Sequence, residues 1–536
     1  MTVFQISSAI ADILLFIALF FELRRSLMMF QQNSYRPERF RRWIRQAGDS
    51  TSLVRLTGVF LLLLTLTKFG ASVAGLLLIS VFAAYVSIKE TKAKYKKPLA
   101  VTHRVLRLGG VTAFIVFAAC LVATFGAIIF DNAGFDVLYV ITICLLAAYC
   151  LSNQLVLAAG FCLIPVEKHI NRKFYNLASD KLRSSSDLTV IGITGSYGKT
   201  STKHYLYDIL NQKFETLMTP GSYNTTLGVV RTVNELLKPY HQIFIAEMGA
   251  KQPGDIKEIC DLVHPRLGIL TSVGPQHLET FHSVENVVKT KFELIDSLPS
   301  DGTAVINNDY EAIAKRKTDN CKVIRYGIDD KTSCDITAEN IRYHSKGTTF
   351  TVRTADGSSF ELTTHLMGSH NIGNLTAAIA VALMLGVDKD SICYSVSRIE
   401  PIEHRLSRRH LGNGVCILDD AFNSNPHGAQ MAVEVLSQMD ASRRIVITPG
   451  MVELGSEQQR LNTIFGQQIA QKGIDYACIV GQYNREALSD GLKAGGFDEN
   501  NILYFDTFLD ANAWMTGFVR PGDVVLIEND LPDTYK

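Results

Sequence analysis

The chain of 536 residues lacks several features that would assign it to a class directly. Its formal net charge is only +1, so its composition gives no indication of a nucleic-acid partner, which would call for a strongly basic surface. Its ten cysteines form no Cys-x-x-Cys pair and no spacing typical of a secreted disulfide framework. We therefore expect reduced thiols in the soluble part. No internal repeat and no low-complexity linker is found.

Hydrophobic residues make up 47% of the chain, and they are concentrated in the first 165 residues. The first apolar run has no basic start and no small-residue cleavage site, so it does not resemble a signal peptide. Apart from Asp12 and Lys68, no ionisable residue lies in the middle of an apolar run, which argues against an ion pathway. We predict a transmembrane region of about five helices over residues 1–165, with spans at roughly 3–23, 53–69, 71–88, 110–130 and 137–160.

The distribution of charge in the connecting segments predicts an orientation. Arginines and lysines follow the first, third and fifth predicted spans, whereas Asp131 and Asp136 lie between the fourth and fifth. The positive-inside rule then places the N-terminus outside and the large C-terminal half in the cytoplasm, as part of a multi-pass protein of the cell membrane. Two interpretations of the basic segments stay open. Either these segments only orient the helices, or they also bind the anionic head groups of membrane lipids.

Beyond about residue 187, apolar strand-like runs alternate with helical patterns, which predicts a doubly wound α/β architecture. The segment 341–366 alternates around Asp356-Gly357 and predicts a β-hairpin. We expect one domain over 187–400 and a second over 401–536. The predicted strands are 187–193, 242–247, 267–273, 302–306, 415–419, 444–448, 476–480 and 523–527.

The most informative stretch is residues 189–202, Thr-Val-Ile-Gly-Ile-Thr-Gly-Ser-Tyr-Gly-Lys-Thr-Ser-Thr. A β-branched run ends in a glycine-containing turn, and Lys199 and Thr200 then open a helix, as in a phosphate-binding loop. Gly192 lies one residue early for the usual spacing, so the loop is a variant. Backbone N–H groups at such a helix start bind phosphate, and the Thr200 hydroxyl can ligate Mg²⁺. We predict ATP binding by Thr194, Gly195, Ser196, Tyr197, Gly198, Lys199, Thr200 and Ser201.

Further polar residues follow predicted strands. Glu247 ends a buried strand, and because ligands gather at the carboxyl ends of strands in an open α/β sheet, it could reach a Mg²⁺ held by Thr200. His277 follows the next strand in the chain, and Lys291 lies on a predicted helix. Taken alone, His277 is more typical of a structural histidine and Lys291 of a solvated charge run.

Taken together and in order, these motifs resemble those of the ATP-dependent Mur ligase family, and most closely its MurF-type members, over roughly residues 187–530. The motifs beyond the phosphate loop are Asn224–Val229, Glu247–Ile256, Gln276–Glu279, Lys291, Gly368–Asn374, His404–Leu406, Asp420–Pro426 and Gly450–Gly455.

The resemblance implies a central P-loop domain, a Rossmann-like C-terminal domain and ATP-dependent ligation of an acid to an amine through an acyl phosphate. It implies that Lys199 and Arg405 offset charge on the transferred phosphoryl group. Two Mg²⁺ ions are implied, one on Thr200 and Glu247, the other on His277 and a carbamylated Lys291. The implied catalytic residues are Lys199, Glu247, His277, Lys291 and Arg405, and the implied nucleotide contacts outside the loop are Asn371, Asn374, Arg405 and Asp420.

Two departures from the family pattern bear on the substrate. The family's N-terminal uridine-diphosphate-binding domain is missing, since residues 166–187 are too few for a domain and the apolar region occupies its place. The last strand ends in Glu528-Asn529-Asp530 where MurF-type proteins carry Lys-Gly-Ser-Arg. We therefore expect an amino acid or dipeptide as amine donor and a cell-wall precursor, membrane-linked, as carboxylate acceptor.

Other functions stay open from the sequence. Within enzymes, a folylpolyglutamate-synthetase-like or amino-acid-polymerising ligase shares part of the pattern. From a different class, a membrane scaffold for wall synthesis with a degenerate nucleotide-binding domain would bind ATP without turnover. A transporter energised by ATP is disfavoured, because ionisable residues are rare in the predicted spans and a second ATPase signature is lacking.

Overall fold

The structure is a computed structural model that describes residues 3–46, 53–65, 67, 72–91, 98–129, 137–275, 278–328, 333–344, 347–402, 406–411, 413–421 and 424–529. The chain divides into two compact units, one of Met1–Ile170 with Leu531–Lys536 and the other of Asn171–Asp530.

The N-terminal unit is helical. Its buried contacts are apolar, as between Leu19, Ile79 and Leu146, with a few polar pairs such as the Ser26 hydroxyl donating to Asn153 Oδ1 at 2.6 Å. Its helices are α1 (Val3–Gln32), α2 (Pro37–Gln46), α3 (Leu53–Thr65), α4 (Val73–Thr91), α5 (His103–Ile129), α6 (Val137–Cys150) and α7 (Ser152–Arg183), the last of which continues into the second unit.

Two of these helices, α1 and α5, are long and apolar enough to cross a membrane, and α6 with α7 makes a third if that pair, bent by 79°, counts as one span. The sequence predicted about five spans. The difference arises from length, because α3 has 13 residues and the apolar part of α4 is confined to Val73–Lys89, whereas a span needs about 20 residues. The predicted span 137–160 is interrupted by the bend.

The central part of the second unit is a nine-stranded sheet in the order β2-β3-β1-β4-β5-β6-β7-β8-β9. Its strands are β1 (Thr189–Thr194), β2 (Thr216–Met218), β3 (Ile243–Glu247), β4 (Leu267–Leu270), β5 (Thr303–Asn307), β6 (Lys322–Ile328), β7 (Ile336–His344), β8 (Gly347–Thr354) and β9 (Ser359–Thr364). Its helices are α8 (Lys199–Leu210), α9 (Thr226–Leu236), α10 (Asp255–Val263), α11 (Leu278–Phe281), α12 (Val284–Asp296), α13 (Glu311–Ala314), α14 (Ser369–Met384) and α15 (Lys389–Arg398).

Strands β1 to β7 pair in parallel with their neighbours, whereas β8 and β9 add an antiparallel edge, so the sheet is mixed. The predicted hairpin forms from β8 and β9, in which Phe350 pairs with Leu362 and Val352 with Phe360. Strands β1 and β3 are buried on both faces, which explains their nearly continuous apolar sequence.

The C-terminal part is a six-stranded sheet in the order β10-β11-β15-β12-β13-β14. Only β10 is antiparallel to its neighbour, so the doubly wound expectation is correct apart from the sheet edges. Its strands are β10 (Ser407–His410), β11 (Cys416–Asp420), β12 (Arg444–Thr448), β13 (Tyr476–Val480), β14 (Ile502–Phe505) and β15 (Val524–Glu528), and its helices are α16 (Pro426–Gln438), α17 (Gln458–Gln471), α18 (Arg485–Ala494) and α19 (Phe508–Phe518).

Candidate active site

The loop between β1 and α8 makes the close approaches expected of a phosphate-binding loop. Gly198 has a φ of 79°, a conformation that favours glycine. A Cβ added to Gly198 would lie 2.2 Å from Asn374 Oδ1, and one added to Gly195 would lie 2.0 Å from Thr271 Oγ1. The two glycines therefore let the loop pass between the end of β4 and the start of α14.

Hydrogen bonds hold this loop against the segment that follows β4. The Tyr197 N–H donates to Ser272 Oγ at 2.6 Å, and the Ser272 hydroxyl donates to the Tyr197 carbonyl at 3.0 Å. The Lys199 ammonium donates to the carbonyls of Gly195 and Ser196 at 2.6 and 3.1 Å. Lys199 thus lies folded over the loop, beside the helix start that would receive phosphate.

Glu247, at the carboxyl end of β3, is the central carboxylate of the site. It is 1% exposed, and its Oε1 accepts from the Thr200 hydroxyl and the Asn224 amide, each at 3.1 Å. Its Oε2 lies 3.0 Å from the Nζ of Lys203, which is fully buried. Burial opposes ionisation, but the charges of Lys203 and Lys199 outweigh it and lower the pKa of Glu247.

This oxygen-rich arrangement suits a hard divalent cation, which prefers carboxylate and hydroxyl ligands. In the part of the chain that the structure describes, no group of three or more His, Cys, Asp and Glu side chains could hold a metal by itself. A cation here would therefore depend on Thr200, Glu247 and oxygens supplied by a ligand or water.

Lys203 and Asn224 complete the setting of Glu247, and sequence reasoning assigned neither of them a role. Lys203 lies one turn after Lys199 on α8, so the two ammonium groups follow the same helix face. The available signal was a lysine flanked by residues of a buried helix face, Thr202, Tyr205 and Leu206. A lysine at such a position is expected to be paired.

Lys291 is buried on α12 with 2% exposure. Burial, and then the charge of Lys199, hold the pKa of Lys291 well below its ordinary value, which favours a neutral amine. Two predicted site residues, His277 and Arg405, lie outside the described residues.

A cavity of about 270 Å³ opens beside the loop, between the two sheets of the second unit. It brings together six of the predicted nucleotide contacts: Tyr197, Gly198, Ser201, Asn371, Asn374 and Asp420. The Asn371 side chain is fixed by two hydrogen bonds. Its Oδ1 accepts from the Tyr205 hydroxyl at 3.0 Å, and its Nδ2 donates to the Met367 carbonyl at 2.9 Å. Thr194 does not line the cavity, and its hydroxyl donates to the Met248 carbonyl at 2.8 Å.

Aromatic rings line the same cavity, and sequence reasoning missed two of them, Tyr310 and His427. The Tyr197 ring stacks on His427 with centroids 5.9 Å apart, and Tyr310 meets His427 edge-on at 6.1 Å. Burial lowers the pKa of His370 to about 4, with a further contribution from His427. The Nδ1 of His370 is buried without a hydrogen-bond partner in the described ranges. Tyr310 and His427 lie outside the sequence motifs, so no local pattern marked them.

The acidic end of β15 forms a buried hydrogen-bonded cluster. Glu528 accepts from the hydroxyls of Ser424 and Thr448, the latter at 2.5 Å. Asn529 donates to the Gly450 carbonyl at 2.5 Å and accepts from the Ser424 N–H at 3.2 Å. Burial raises the pKa of Glu528 to about 7, against the two hydroxyls, which favour its charged form. These residues thus link the carboxyl ends of β11, β12 and β15.

Comparison with known proteins agrees with this geometry. The Mur ligase middle domain matches residues 193–382, and the Mur ligase glutamate ligase domain matches residues 404–528. Among similar proteins, the UDP-N-acetylmuramoyl-tripeptide–D-alanyl-D-alanine ligase of Escherichia coli is 33% identical, over 56% of this chain and 66% of its own length. The ligase of the same name from Mycobacterium tuberculosis is 30% identical, over 64% of this chain and 70% of its own length. The chain thus spans about two thirds of these relatives.

Solved structures of MurF proteins are also similar to this chain. MurF from Acinetobacter baumannii superposes with a TM-score of 0.61 at 25% identity, covering 68% of this chain and 78% of that one. MurF ligase from Thermotoga maritima in complex with ADP gives 0.60 at 25% identity, covering 67% and 80%. Both domain matches lie beyond residue 192, and the N-terminal region differs from the domain usual in these proteins. The chain therefore belongs to the Mur ligase family as a MurF-type member, one of the ATP-dependent ligases that form amide bonds in peptidoglycan peptide synthesis.

Proposed function

We propose that this chain joins D-alanyl-D-alanine, as amine donor, to the peptide carboxylate of a membrane-linked cell-wall precursor, at the cytoplasmic face of the membrane. The choice of this dipeptide and of a muramoyl tripeptide as acceptor follows the names of the similar ligases. The observation that carries the acceptor proposal is the N-terminal unit, whose apolar helices stand where MurF-type proteins have a different domain.

The reaction proceeds in two displacements. An acceptor carboxylate oxygen attacks the γ-phosphorus of ATP, and the bond from the γ-phosphorus to the bridging β-phosphate oxygen breaks. The products of this displacement are ADP and an acyl phosphate. The neutral amine then attacks the acyl carbon, a C–N bond forms, the C–O bond to phosphate breaks, and the amine loses a proton. Phosphoryl transfer requires mainly positioning and neutralisation of charge, and the cations and N–H groups around the phosphate loop supply both.

Four side chains have roles in the first displacement under this proposal. Lys199 moves from the loop carbonyls to the transferred phosphoryl group, and Arg405 adds a second positive charge. Thr200 and Glu247 would hold one Mg²⁺, which when bound neutralises phosphate charge. The 3.1 Å separation of their oxygens and the lowered pKa of Glu247 support this assignment.

Lys291 would act as a carbamate and, with His277, hold a second Mg²⁺. An amine that is neutral can attack carbon dioxide, forming a C–N bond and releasing a proton, and the product is an anionic oxygen ligand. The support for this is the burial of Lys291 and the lowered pKa of its amine.

The nucleotide base and ribose would occupy the cavity beside the loop, with Asn371, Asn374 and Asp420 as contacts. The position of these three residues in the lining supports this assignment, and so does the MurF structure solved with ADP. Because the cavity lies between the two sheets, movement of the C-terminal part would exclude water from the acyl phosphate.

For the membrane, we propose a multi-pass arrangement with both catalytic domains in the cytoplasm, in which α1, α5 and the bent pair of α6 and α7 cross the bilayer. Exposed apolar residues on α1 and α5, such as Phe16 and Phe117, support insertion, and the basic segments that follow the predicted spans support the orientation.

The experiment compares two acceptors with the purified full chain, ATP, Mg²⁺ and D-alanyl-D-alanine. One acceptor is the soluble UDP-linked muramoyl tripeptide, and the other is the same tripeptide on a lipid carrier. We expect amine-dependent phosphate release and amide product with the lipid-linked form. Turnover of the soluble form alone would contradict the acceptor proposal. ATP binding without turnover, with either acceptor and any amine, would favour the scaffold alternative.

A further inference from the structure

Lys203 is a buried lysine whose side chain is 0% exposed. It lies on α8, one turn after Lys199, and its ammonium group contacts two other segments of the chain. The ammonium donates to the Gly221 carbonyl at 2.5 Å, and it lies 3.0 Å from Glu247 Oε2. Lys203 therefore joins the loop that follows β2 to the acidic end of β3, at a depth where an unpaired charge would be costly.

The two carboxylate oxygens of Glu247 have different surroundings as a result. Oε1 accepts from the Thr200 hydroxyl and from the Asn224 amide, each at 3.1 Å. Oε2 is the oxygen beside the Lys203 ammonium. Because Thr200 lies at the start of α8, directly after the phosphate loop, Oε1 is the oxygen on the side of the phosphate loop.

The backbone around Glu247 is fixed by the same loop that Lys203 contacts. The Glu247 N–H donates to Thr219 Oγ1 at 3.1 Å, and the Gly249 N–H donates to the Asn224 carbonyl at 2.7 Å. A Cβ added to Gly249 would lie 2.8 Å from Asn224 Cγ, so the two segments are in close contact. A rotation that moved Oε2 away from Lys203 would leave a buried ammonium without its counter-charge.

We propose that Lys203 limits Glu247 to one metal-binding oxygen, Oε1, and thereby makes the site selective for Mg²⁺ over Ca²⁺. Mg²⁺ requires a compact octahedral shell and usually keeps several waters, whereas Ca²⁺ takes more oxygens and often binds both oxygens of one carboxylate. An Oε2 that is paired with an ammonium is not available as the second ligand. Lys203 is thus a positioning residue that acts through Glu247. The inference rests on the proposed function in one respect, because it concerns the Mg²⁺ that Thr200 and Glu247 would hold.

The test compares nucleotide binding in the two cations, so that its readout does not depend on turnover. The Kd of a non-hydrolysable ATP analogue for the full chain is measured with saturating Mg²⁺ and with saturating Ca²⁺. In Lys203→Met, Oε2 is released as a ligand, and we expect the ratio of the Ca²⁺ value to the Mg²⁺ value to fall by about tenfold. Lys257→Met is the matched control, because Lys257 pairs with Asp261 on the exposed surface, and it should keep the parent's ratio. An unchanged ratio in Lys203→Met, whatever happens to the separate affinities, would overturn the inference.

A spectroscopic measurement on the parent chain decides the question if Lys203→Met does not fold. A carboxylate that binds a cation through one oxygen has its antisymmetric and symmetric stretching bands farther apart than the free ion, whereas binding through both oxygens brings the bands closer together. Infrared difference spectra with and without Mg²⁺, in the presence of ADP, should show the wider separation. Glu247→Gln should lack this pair of bands, which assigns them. A narrower separation, or no change in the bands of Glu247, would overturn the inference.

The two proposals fail separately, because nucleotide binding needs neither the acceptor nor the amine. If the lipid-linked tripeptide is not ligated but Lys203→Met loses its discrimination between the cations, the acceptor proposal is wrong and the inference about Lys203 holds. If the parent chain ligates the lipid-linked tripeptide but Lys203→Met keeps the parent's ratio, the inference about Lys203 is wrong and the acceptor proposal holds.

Discussion

Buried ionisable side chains distinguish this active site from its surroundings. Lys203, Glu247 and Lys291 all lie within a few per cent of complete burial, where an isolated charge is costly. Lys203 and Glu247 compensate each other, whereas Lys291 lies beside a second cation and favours its neutral form. Burial therefore favours a charged, paired state for Lys203 and Glu247 and a neutral amine for Lys291.

The first prediction concerns the buried pair. Lys203→Met removes the cation from a buried carboxylate, so we expect a loss of about 3 kcal/mol or more in the free energy of unfolding and loss of ATP turnover. Lys257→Met is the control, because the Lys257–Asp261 pair is exposed, and we expect little change from it. Thermal melts and phosphate release measure both effects. Equal melts for the two variants would contradict the buried pair.

The second prediction concerns Lys291. Lys291→Ala removes the amine that would become a carbamate, and we expect the ligation rate to fall by about a hundredfold or more. Acetate or formate should restore part of the rate, since either anion can occupy the vacated position. Lys289→Ala, an exposed change on the same helix, should neither slow ligation nor respond to the anions. If neither anion rescues Lys291→Ala, the carbamate role is unsupported.

The third prediction concerns pH and Glu528. Its folded pKa of about 7 lies above its ordinary value of 4.5, so the folded state binds the extra proton between these values. Its contribution to stability is then complete below about pH 4.5 and is lost as the pH rises through 7. Glu528→Gln should be more stable than the parent at pH 8, by on the order of 3 kcal/mol, and should differ little at pH 4.5. Glu486→Gln, an exposed change on α18, should retain the parent's pH dependence in melts from pH 4.5 to 8.

At the scale of elements, helix starts and strand ends build the site together. Helices α8, α14 and α16 begin at the cavity, β5 and β11 end in residues that line it, and β4 ends directly before the lining residue Thr271. Parallel strands place their carboxyl ends at one edge, and the following helices then present N–H groups there. An anionic ligand and its counter-cation, as proposed above, would therefore both bind at the carboxyl ends of the strands.

The fourth prediction separates stability from nucleotide binding at one of these helix starts. Asn425 caps α16 by accepting from the Gly428 N–H at 2.8 Å, and it also lines the cavity. Asn425→Ala should cost about 1 kcal/mol and also raise the KM for ATP. Thr507→Ala removes the cap of α19, away from the cavity, so it should cost a similar amount with no change in KM. Equal KM values would exclude a role for Asn425 in binding.

At the scale of the whole molecule, an apolar helical unit and a family catalytic unit share one chain. The helical unit exposes large apolar side chains along α1 and α5, more than a water-soluble surface normally tolerates. Its apolar content accounts for the positive mean hydropathy of the chain, +0.13, whereas the second unit has a conventional α/β composition.

The fifth prediction follows from this division. In cell fractions, the full chain should stay with the membrane through high salt and alkaline carbonate, because burial of α1 and α5 is hydrophobic and insensitive to ionic strength. Mild detergent should release it with ATP turnover intact. Release by salt alone would show that the helices lie on the membrane surface and do not span it.

Several features could be predicted from the sequence because their causes are local. The phosphate loop depends on consecutive residues, and the β8–β9 hairpin follows from alternation around Asp356-Gly357. Strands β12 and β13 begin and end at the predicted residues. By contrast, β2, β6, β7, β10 and β14 were not predicted, because pairing with an existing sheet decides whether such short or partly polar segments become strands.

The sequence alone determined the family, the strand–turn–helix arrangement of residues 189–202 and the division into an apolar and an α/β part, since each depends on the types and order of residues. Only the tertiary structure decided that Lys203 pairs with Glu247, that His427 stacks on Tyr197, and that the acidic end of β15 is buried. These contacts join segments that are distant in the chain. Their chemistry depends on burial, which no local spacing of residues specifies.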